Sequence, residues 1–252
     1  MIKKITLITL ILLILAYILY SVFIINPRVE NVICNDFHIN IIDTLERQAI
    51  KSKDIALILK KERLTPLGKL MKEIDTKKIE RKILENESIK SVSCYKTTSG
   101  KIKIDVYQKI PILRIISNEG DFYIDEEGRE MPSVGSYACF VPVATGYVKK
   151  DFAKKQLYNF ALFLKKNKFW SAQIEQIYVH PNQDIEISPR IGNHQIMIGK
   201  IENVEGKLEK LKLFYEKGLS EVGWNNYSLI NLKYKDQVVC TKRTEIIDNL
   251  SQ

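Results

Sequence analysis

The residues able to do chemistry are few and scattered. His38, His180 and His194 stand far apart, with no HxH or HExxH spacing. A metal site needs several ligands converging on one point, so each reads as a surface or hydrogen-bonded histidine, and neither a metal nor any other cofactor is expected. Cys34, Cys94, Cys139 and Cys240 contain no CxxC, which sets aside a thioredoxin-like or zinc-binding role. All four fall in segments predicted as strands, where a thiol serves as a small apolar filler. Ser93-Cys94-Tyr95-Lys96 matches the SxxK nucleophile pattern of penicillin-binding enzymes. That chemistry needs Ser and Lys on one side of a helical turn, whereas in a strand positions i and i+3 point to opposite faces. Lys96-Thr97-Thr98 is not KTG, and no SxN follows in the right setting. Asp125, Glu126 and Glu127 lie side by side in a predicted turn, while paired catalytic carboxylates face each other across a cleft; they read as solvated turn residues. Trp170 and Trp224 each follow a predicted helix and read as core anchors. With no GxSxG and no glycine-rich phosphate loop, the chain is not expected to be an enzyme.

What must position these residues is set by where the apolar content sits. Of 252 residues, 45% are apolar and 27% charged, with a net charge of +9. That composition excludes a disordered, collagen-like or polytopic membrane chain and fits one large domain or two small ones. Ile5 to Ile25 is a run of 21 uncharged residues, mostly Ile and Leu. As a helix it spans roughly 31 Å, about the thickness of a bilayer's hydrocarbon core. Tyr17 and Tyr20 fall toward the far interface, and Asn26-Pro27 is predicted to stop the helix. A cleaved signal would have a shorter apolar core and a small-x-small site, which Tyr20-Ser21-Val22-Phe23-Ile24-Ile25 does not offer. Lys3 and Lys4 precede the run, so the positive-inside bias leaves residues 1–4 in the cytoplasm and everything after Asn26 outside, a type II single-pass arrangement. The basic balance then points to anionic lipid or cell-wall polymer, not to nucleic acid. Outside the cytoplasm a disulfide becomes feasible. Cys34 and Cys94 are the candidate pair, although the sequence leaves all three full pairings open.

Beyond the anchor, Arg28 to Ile42 reads as a β segment. Ser52 is placed to cap a helix through Glu62 with Ile55, Ile58 and Leu59 on one face, and Thr65-Pro66-Leu67-Gly68 breaks it. Asp75 or Thr76 caps a second helix with Ile79 and Ile83 at i, i+4. Ile89–Tyr95 is a strand, Thr98-Ser99-Gly100 a turn, and Lys101 to Tyr107 alternates strictly, with one face buried and one wet. The order is β-α-α-β-β. After Pro111, strands are predicted at Ile112–Ile116, Phe122–Ile124 and Phe140–Val143. A helix capped by Asp151 follows, with Ala153, Leu157, Phe160, Ala161 and Leu164 on one stripe and Lys165, Lys166 and Lys168 at its end. Further strands at Ile174–Val179, Ile185–Ile187 and Gln195–Ile198, a helix from Asn203 carrying Val204, Leu208, Leu211 and Tyr215, and final strands Tyr227–Tyr234 and Gln237–Cys240 complete the pattern.

Three local stretches resemble the FtsQ/DivIB family of bacterial cell-division proteins, in the form found in Bacteroidota. Ser91-Val92-Ser93-Cys94-Tyr95-Lys96 through Gly100-Lys101-Ile102-Lys103-Ile104-Asp105-Val106 resembles the last hairpin of a POTRA domain. Gln108-Lys109-Ile110-Pro111-Ile112-Leu113-Arg114-Ile115, then Tyr123-Ile124-Asp125 and Gly128 to Met131-Pro132, resembles the entry to that family's β-domain. Ile230-Asn231-Leu232-Lys233-Tyr234 with Gln237-Val238-Val239-Cys240 resembles its closing strands. Lys109 stands where an Arg is common, and the connection Thr65–Met71 is a second departure. The fold so implied is α+β: a cytoplasmic tail (1–4), a transmembrane helix (5–25), a POTRA domain (28–109), a mixed β-domain with flanking helices (110–240) and a polar tail (241–252).

The resemblance implies a non-enzymatic scaffold of the divisome in the inner membrane at the septum. It would link small single-pass coiled-coil division proteins of the FtsB and FtsL type to the septal peptidoglycan synthase. A chain-terminal strand leaves backbone donors and acceptors unpaired along one edge, where a partner can add a strand or helix. Leu232, Tyr234, Gln237, Val238 and Val239 are the candidate contacts, with one of the two adjacent valines facing inward. Two other readings remain: a POTRA-bearing envelope assembly factor, which would call for tandem POTRA units or a long barrel, and an anchored cell-wall enzyme acting through Ser93 or Asp125.

Overall fold

The computed structural model describes residues 2–30, 32–42, 50–133 and 139–243. The chain divides into two compact units, Met1–Gln108 and Lys109–Gln252.

The first unit opens with helix α1 (Ile2–Glu30). It continues through Asn26-Pro27, so that dipeptide does not stop it. Proline removes one N–H and crowds one carbonyl, and here only a single further turn follows. Side chains are described from Thr6 to Ser21. Leu7 to Tyr20 are largely exposed. Among the described residues no helix is long and apolar enough to cross a membrane.

After α1 come β1 (Asp36–Ile42), α2 (Ser52–Lys61), a 3-10 turn at Met71–Glu73, α3 (Thr76–Leu84), β2 (Ile89–Lys96) and β3 (Lys101–Gln108). β1 begins eight residues later than the Arg28 expected, because α1 takes the first of them. Lys51, not Ser52, precedes α2: the Asp54 carboxylate accepts the Lys51 N–H at 2.8 Å, while the Ser52 hydroxyl donates to Ile39 O. Asp75 caps α3 as expected, accepting the Lys78 N–H at 3.0 Å. The sheet order is β1-β3-β2, with β3 parallel to β1 and antiparallel to β2. Ile102, Ile104 and Val106 alternate inward from β3 onto Ile55, Leu59, Ile79 and Ile83 of the two helices. The connection 65–71 runs beside residues 32–34, with Cys34 N–H donating to Lys69 O at 2.8 Å and Gly68 N–H to Cys34 O at 2.9 Å.

The second unit is a nine-stranded sheet. Its strands are β4 (Pro111–Ser117), β5 (Gly120–Asp125), β6 (Glu130–Pro132), β7 (Val143–Gly146), β8 (Ile174–Val179), β9 (Ile185–Pro189), β10 (Gln195–Gly199), β11 (Tyr227–Asn231) and β12 (Val239–Lys242). They lie in the order β12-β11-β10-β9-β8-β7-β4-β5-β6. β4, β7 and β8 run parallel, as do β10 and β11; the remaining pairs are antiparallel. Helical segments bridge β7 to β8 and β10 to β11, the crossovers that parallel neighbours require. The first runs Lys150–Phe152, a π turn Ala153–Leu157 and Tyr158–Lys166. It ends before Lys168, because Asn167 caps a separate helix, Lys168–Gln173, by accepting the Trp170 N–H at 3.2 Å. The second is Val204–Phe214 continued by a π turn Tyr215–Leu219.

One row of side chains crosses the whole sheet in register: Pro132, Phe122, Ile115, Ala144, Ile177, Ile187, Ile196, Ile230 and Cys240. Strand periodicity puts the row on one face, where all of it but Pro132 joins Leu157, Phe160, Leu164, Leu208, Leu211 and Leu219 of the helices in a single core. Trp170 is buried with them, but Trp224 is about one-third exposed, a rim residue leaning on Tyr215 at 4.9 Å. Phe140 is 77% exposed and precedes β7, which starts only at Val143.

Candidate partner-binding edge

β12 ends the sheet. It pairs with β11 on one side, Ile230 opposite Cys240 and Asn231 opposite Val239, and among the described residues no strand lies on its other side. Val238 packs against the core with Cys240, whereas Val239 is 41% exposed. Tyr234 and Gln237 are exposed in the turn before it. Leu232 corrects the expectation. It is 0% exposed, and its N–H donates to Met197 O at 2.9 Å, so it closes the core rather than facing a partner. β11 ends at Asn231, leaving 232–238 as the connection and not as strand. The Asn231 side chain accepts the Lys233 N–H at 3.0 Å and so turns the chain out of the sheet.

That connection is fastened by side chains distant in sequence. Lys233 Nζ lies 2.8 Å from Asp184 Oδ2, with Lys200 Nζ 3.7 Å from the other carboxylate oxygen. The Lys233 hydrogen bond holds the Asp184 carboxyl below its ordinary range against the opposing effect of burial, and Asp184 in turn raises Lys233. The stem of Lys233 reaches Asp184 over Gly199, where any Cβ would come within 2.7 Å of it. Lys210 Nζ donates to Tyr234 O at 2.9 Å and Lys235 O at 2.7 Å. At the other end of β12, Arg243 N–H donates to Asn226 O and its guanidinium donates to Asn225 O and Asn193 O. Beneath it His194 is buried, Nε2 2.9 Å from the Tyr215 hydroxyl. Burial first, and then the Arg243 charge, lowers its pKa, while burial holds the Tyr215 phenol above its usual range.

Residues 110–241 match the family model described as FtsQ/DivIB, C-terminal related, which is more than half of the chain. The chain belongs to the FtsQ/DivIB family. Residues 32–107 match a POTRA-like domain, and both are scaffold-type families, the first of cell-division proteins that act at the division site. No individual curated protein matches the chain.

In this FtsQ/DivIB chain the other sequence candidates serve the fold. Ser93 and Lys96 lie in β2, and Lys96 Nζ is spent on Met71 O at 2.5 Å. Asp125 is not solvated. It is 1% exposed, and its carboxylate accepts the N–H groups of Glu127 and Arg129 and the Arg129 guanidinium, tying the turn before β6. Cys34 and Cys94 are both free thiols, so the disulfide between them is not formed in the structure. Cys34 Sγ donates to Asp36 O, and burial, with Glu80 beside it, pushes the Cys94 thiol up to about 12. Cys34 and Cys139 also lie outside the named strands. Among the described residues no group of His, Cys, Asp and Glu could hold a metal ion. Sequence reasoning missed Asp184, Lys210 and Arg243, the residues that hold the edge in place. Only the Asn182-Gln183-Asp184 turn pattern marked one of them.

Proposed function

We propose that this protein is a single-pass membrane scaffold of the divisome. In this reading it captures small bitopic division proteins of the FtsB and FtsL type along β12, and through them positions the septal peptidoglycan synthase. The observation that carries the reading is the terminal strand itself. It is paired on one side and fastened at both ends, with Tyr234, Gln237 and Val239 open to solvent. An edge held this firmly loses little entropy when a partner strand adds to it, and an exposed aromatic beside a β-branched residue supplies the apolar anchor. Leu232 and Val238 support the strand from below.

The uncharged run from Ile5 to Ile25 supports an inner-membrane anchor with the two units on its outer side. Within α1 the hydroxyls of Thr9 and Ser21 donate to the carbonyls of Thr6 and Ile18, the internal satisfaction that a hydrocarbon environment demands.

The test is co-purification of division proteins with the full-length chain carrying Tyr234→Ala and Val239→Arg together. Recovery is expected to fall by about tenfold while the melting temperature holds. Unchanged recovery refutes capture at this edge.

A further inference from the structure

Strands β4 and β7 lie side by side and run parallel, but the chain leaves their carboxyl ends in opposite directions. From β4 it turns back into β5 on one side; from β7 it passes through the 150–166 helix to β8 on the other. Diverging connections leave room between the carboxyl ends of two neighbouring strands, and a concave site of that kind is where a small ligand binds. The second unit has such a crevice. It measures about 380 Å³ and is lined by Ile116, Ser117 and Asn118 at the end of β4 and by Gly146 and Tyr147 at the end of β7.

Its walls are fixed by the backbone. Tyr147 N–H donates to Val179 O at 2.9 Å and Val148 N–H to Gly146 O at 3.0 Å. Gly146 has φ +88°, and a Cβ there would come within 2.5 Å of Val179 O and 2.9 Å of the Tyr178 ring, so the wall is cut to glycine. The Ser117 hydroxyl accepts the Glu119 N–H at 3.2 Å, which sets the corner after β4. Tyr147 is 59% exposed and Ile116 41%.

The chemistry of the lining narrows the ligand. None of the five lining residues carries a charge, so a phosphate or a carboxylate finds no counter-charge among them. What they offer is an aromatic face, an aliphatic side chain, a hydroxyl and a carboxamide. A pyranose matches that set, stacking its C–H face on a ring while its hydroxyls pair with amide and hydroxyl groups. We propose that the crevice between the carboxyl ends of β4 and β7 binds a neutral sugar ring of a glycan, with Tyr147 as the stacking residue and Ser117 and Asn118 as hydrogen-bonding residues. Four strands separate β7 from β12, so this site is independent of partner capture at the terminal edge.

The test is saturation-transfer NMR on the full-length chain in detergent micelles, with chitotetraose as the neutral glycan probe and tetra-alanine as the peptide control. Transfer to the sugar ring protons is expected with the natural chain. It falls by about fivefold with Tyr147→Ala, the loss of one stacked ring, and persists with Tyr147→Phe. The exposed position of Tyr147 leaves the fold intact in both variants, which an unchanged melting temperature verifies. Tyr234→Ala is expected to leave the sugar signal unchanged, which separates failure here from failure of edge capture. No transfer to the natural chain, transfer indifferent to Tyr147→Ala, or transfer to the peptide alone overturns the proposal.

Discussion

The two units end on strands that meet opposite fates. In the first, the last strand, β3, slides between β1 and β2 and carries three side chains with 0% exposure, Ile102, Ile104 and Val106. In the second, the last strand, β12, stays outside β11, and of its four residues only Cys240 is even half-buried. β3 alternates inward and outward positions along its length, whereas β12 turns only Cys240 toward the core. The difference lies in what each leaves over. A central strand spends its backbone on two neighbours and becomes indispensable to its unit, while an edge strand keeps half of its backbone available to something else.

The contrast can be broken most forcefully at β3. Ile104→Ala removes a fully buried side chain at the middle of the first unit's core and is expected to cost about 2–5 kcal/mol. Hydrogen exchange should show protection lost across residues 89–108 and kept across the second unit; equal loss in both would mean the two do not unfold separately. Next is Asp184→Ala, which frees Lys233 and is expected to cost about 1–2 kcal/mol, seen as faster exchange confined to residues 227–242. The Asp184 carboxyl is lowered on folding, so its contribution is present above the ordinary carboxylate range and fades as pH falls through it. The Ala variant should therefore lose part of the natural chain's acid sensitivity.

A subtler pH effect belongs to His194. Its pKa is lowered on folding, so the unfolded chain binds the proton more readily. The contribution of the neutral ring is complete above the unfolded value near 6.5 and declines as pH drops below it. Melting temperatures of the natural chain and His194→Gln, compared from pH 7.5 to pH 5, should converge at the acid end. The smallest effect on stability is expected from Tyr234→Ala at the exposed edge, within about 0.5 kcal/mol in chemical denaturation. A larger loss there would show the edge to be as structural as β3.

How much of this was legible in the chain follows the range of each interaction. The Ile79–Ile83 spacing, the Asp75 cap and the alternation from Lys101 to Tyr107 are local, and they place α3 and β3 where the structure has them. Ser52 reads as a cap by residue type, but Asp54 supplies the carboxylate from inside the helix. Asp125 reads as a solvated turn acid because nothing nearby in sequence shows that its own turn folds over it. Leu232 reads as an edge residue because an apolar residue after Ile230 continues the strand pattern; its burial depends on β10, reached only through the fold. The hold of Asp184 on Lys233 spans 49 residues and has no periodic signature. The strand order, and with it the crevice between β4 and β7, is likewise a property of topology and not of any local pattern.

The parallel pairing of β1 with β3, Asp36 to Lys101 through Ile42 to Tyr107, has a consequence for how the chain comes into being. A growing polypeptide delivers β1 long before its neighbour, and until residues near 108 emerge neither β1 nor β2 has the strand it pairs with. Such late, long-range closure makes assembly slow. The first unit thus stays unfinished until the ribosome has begun on the second.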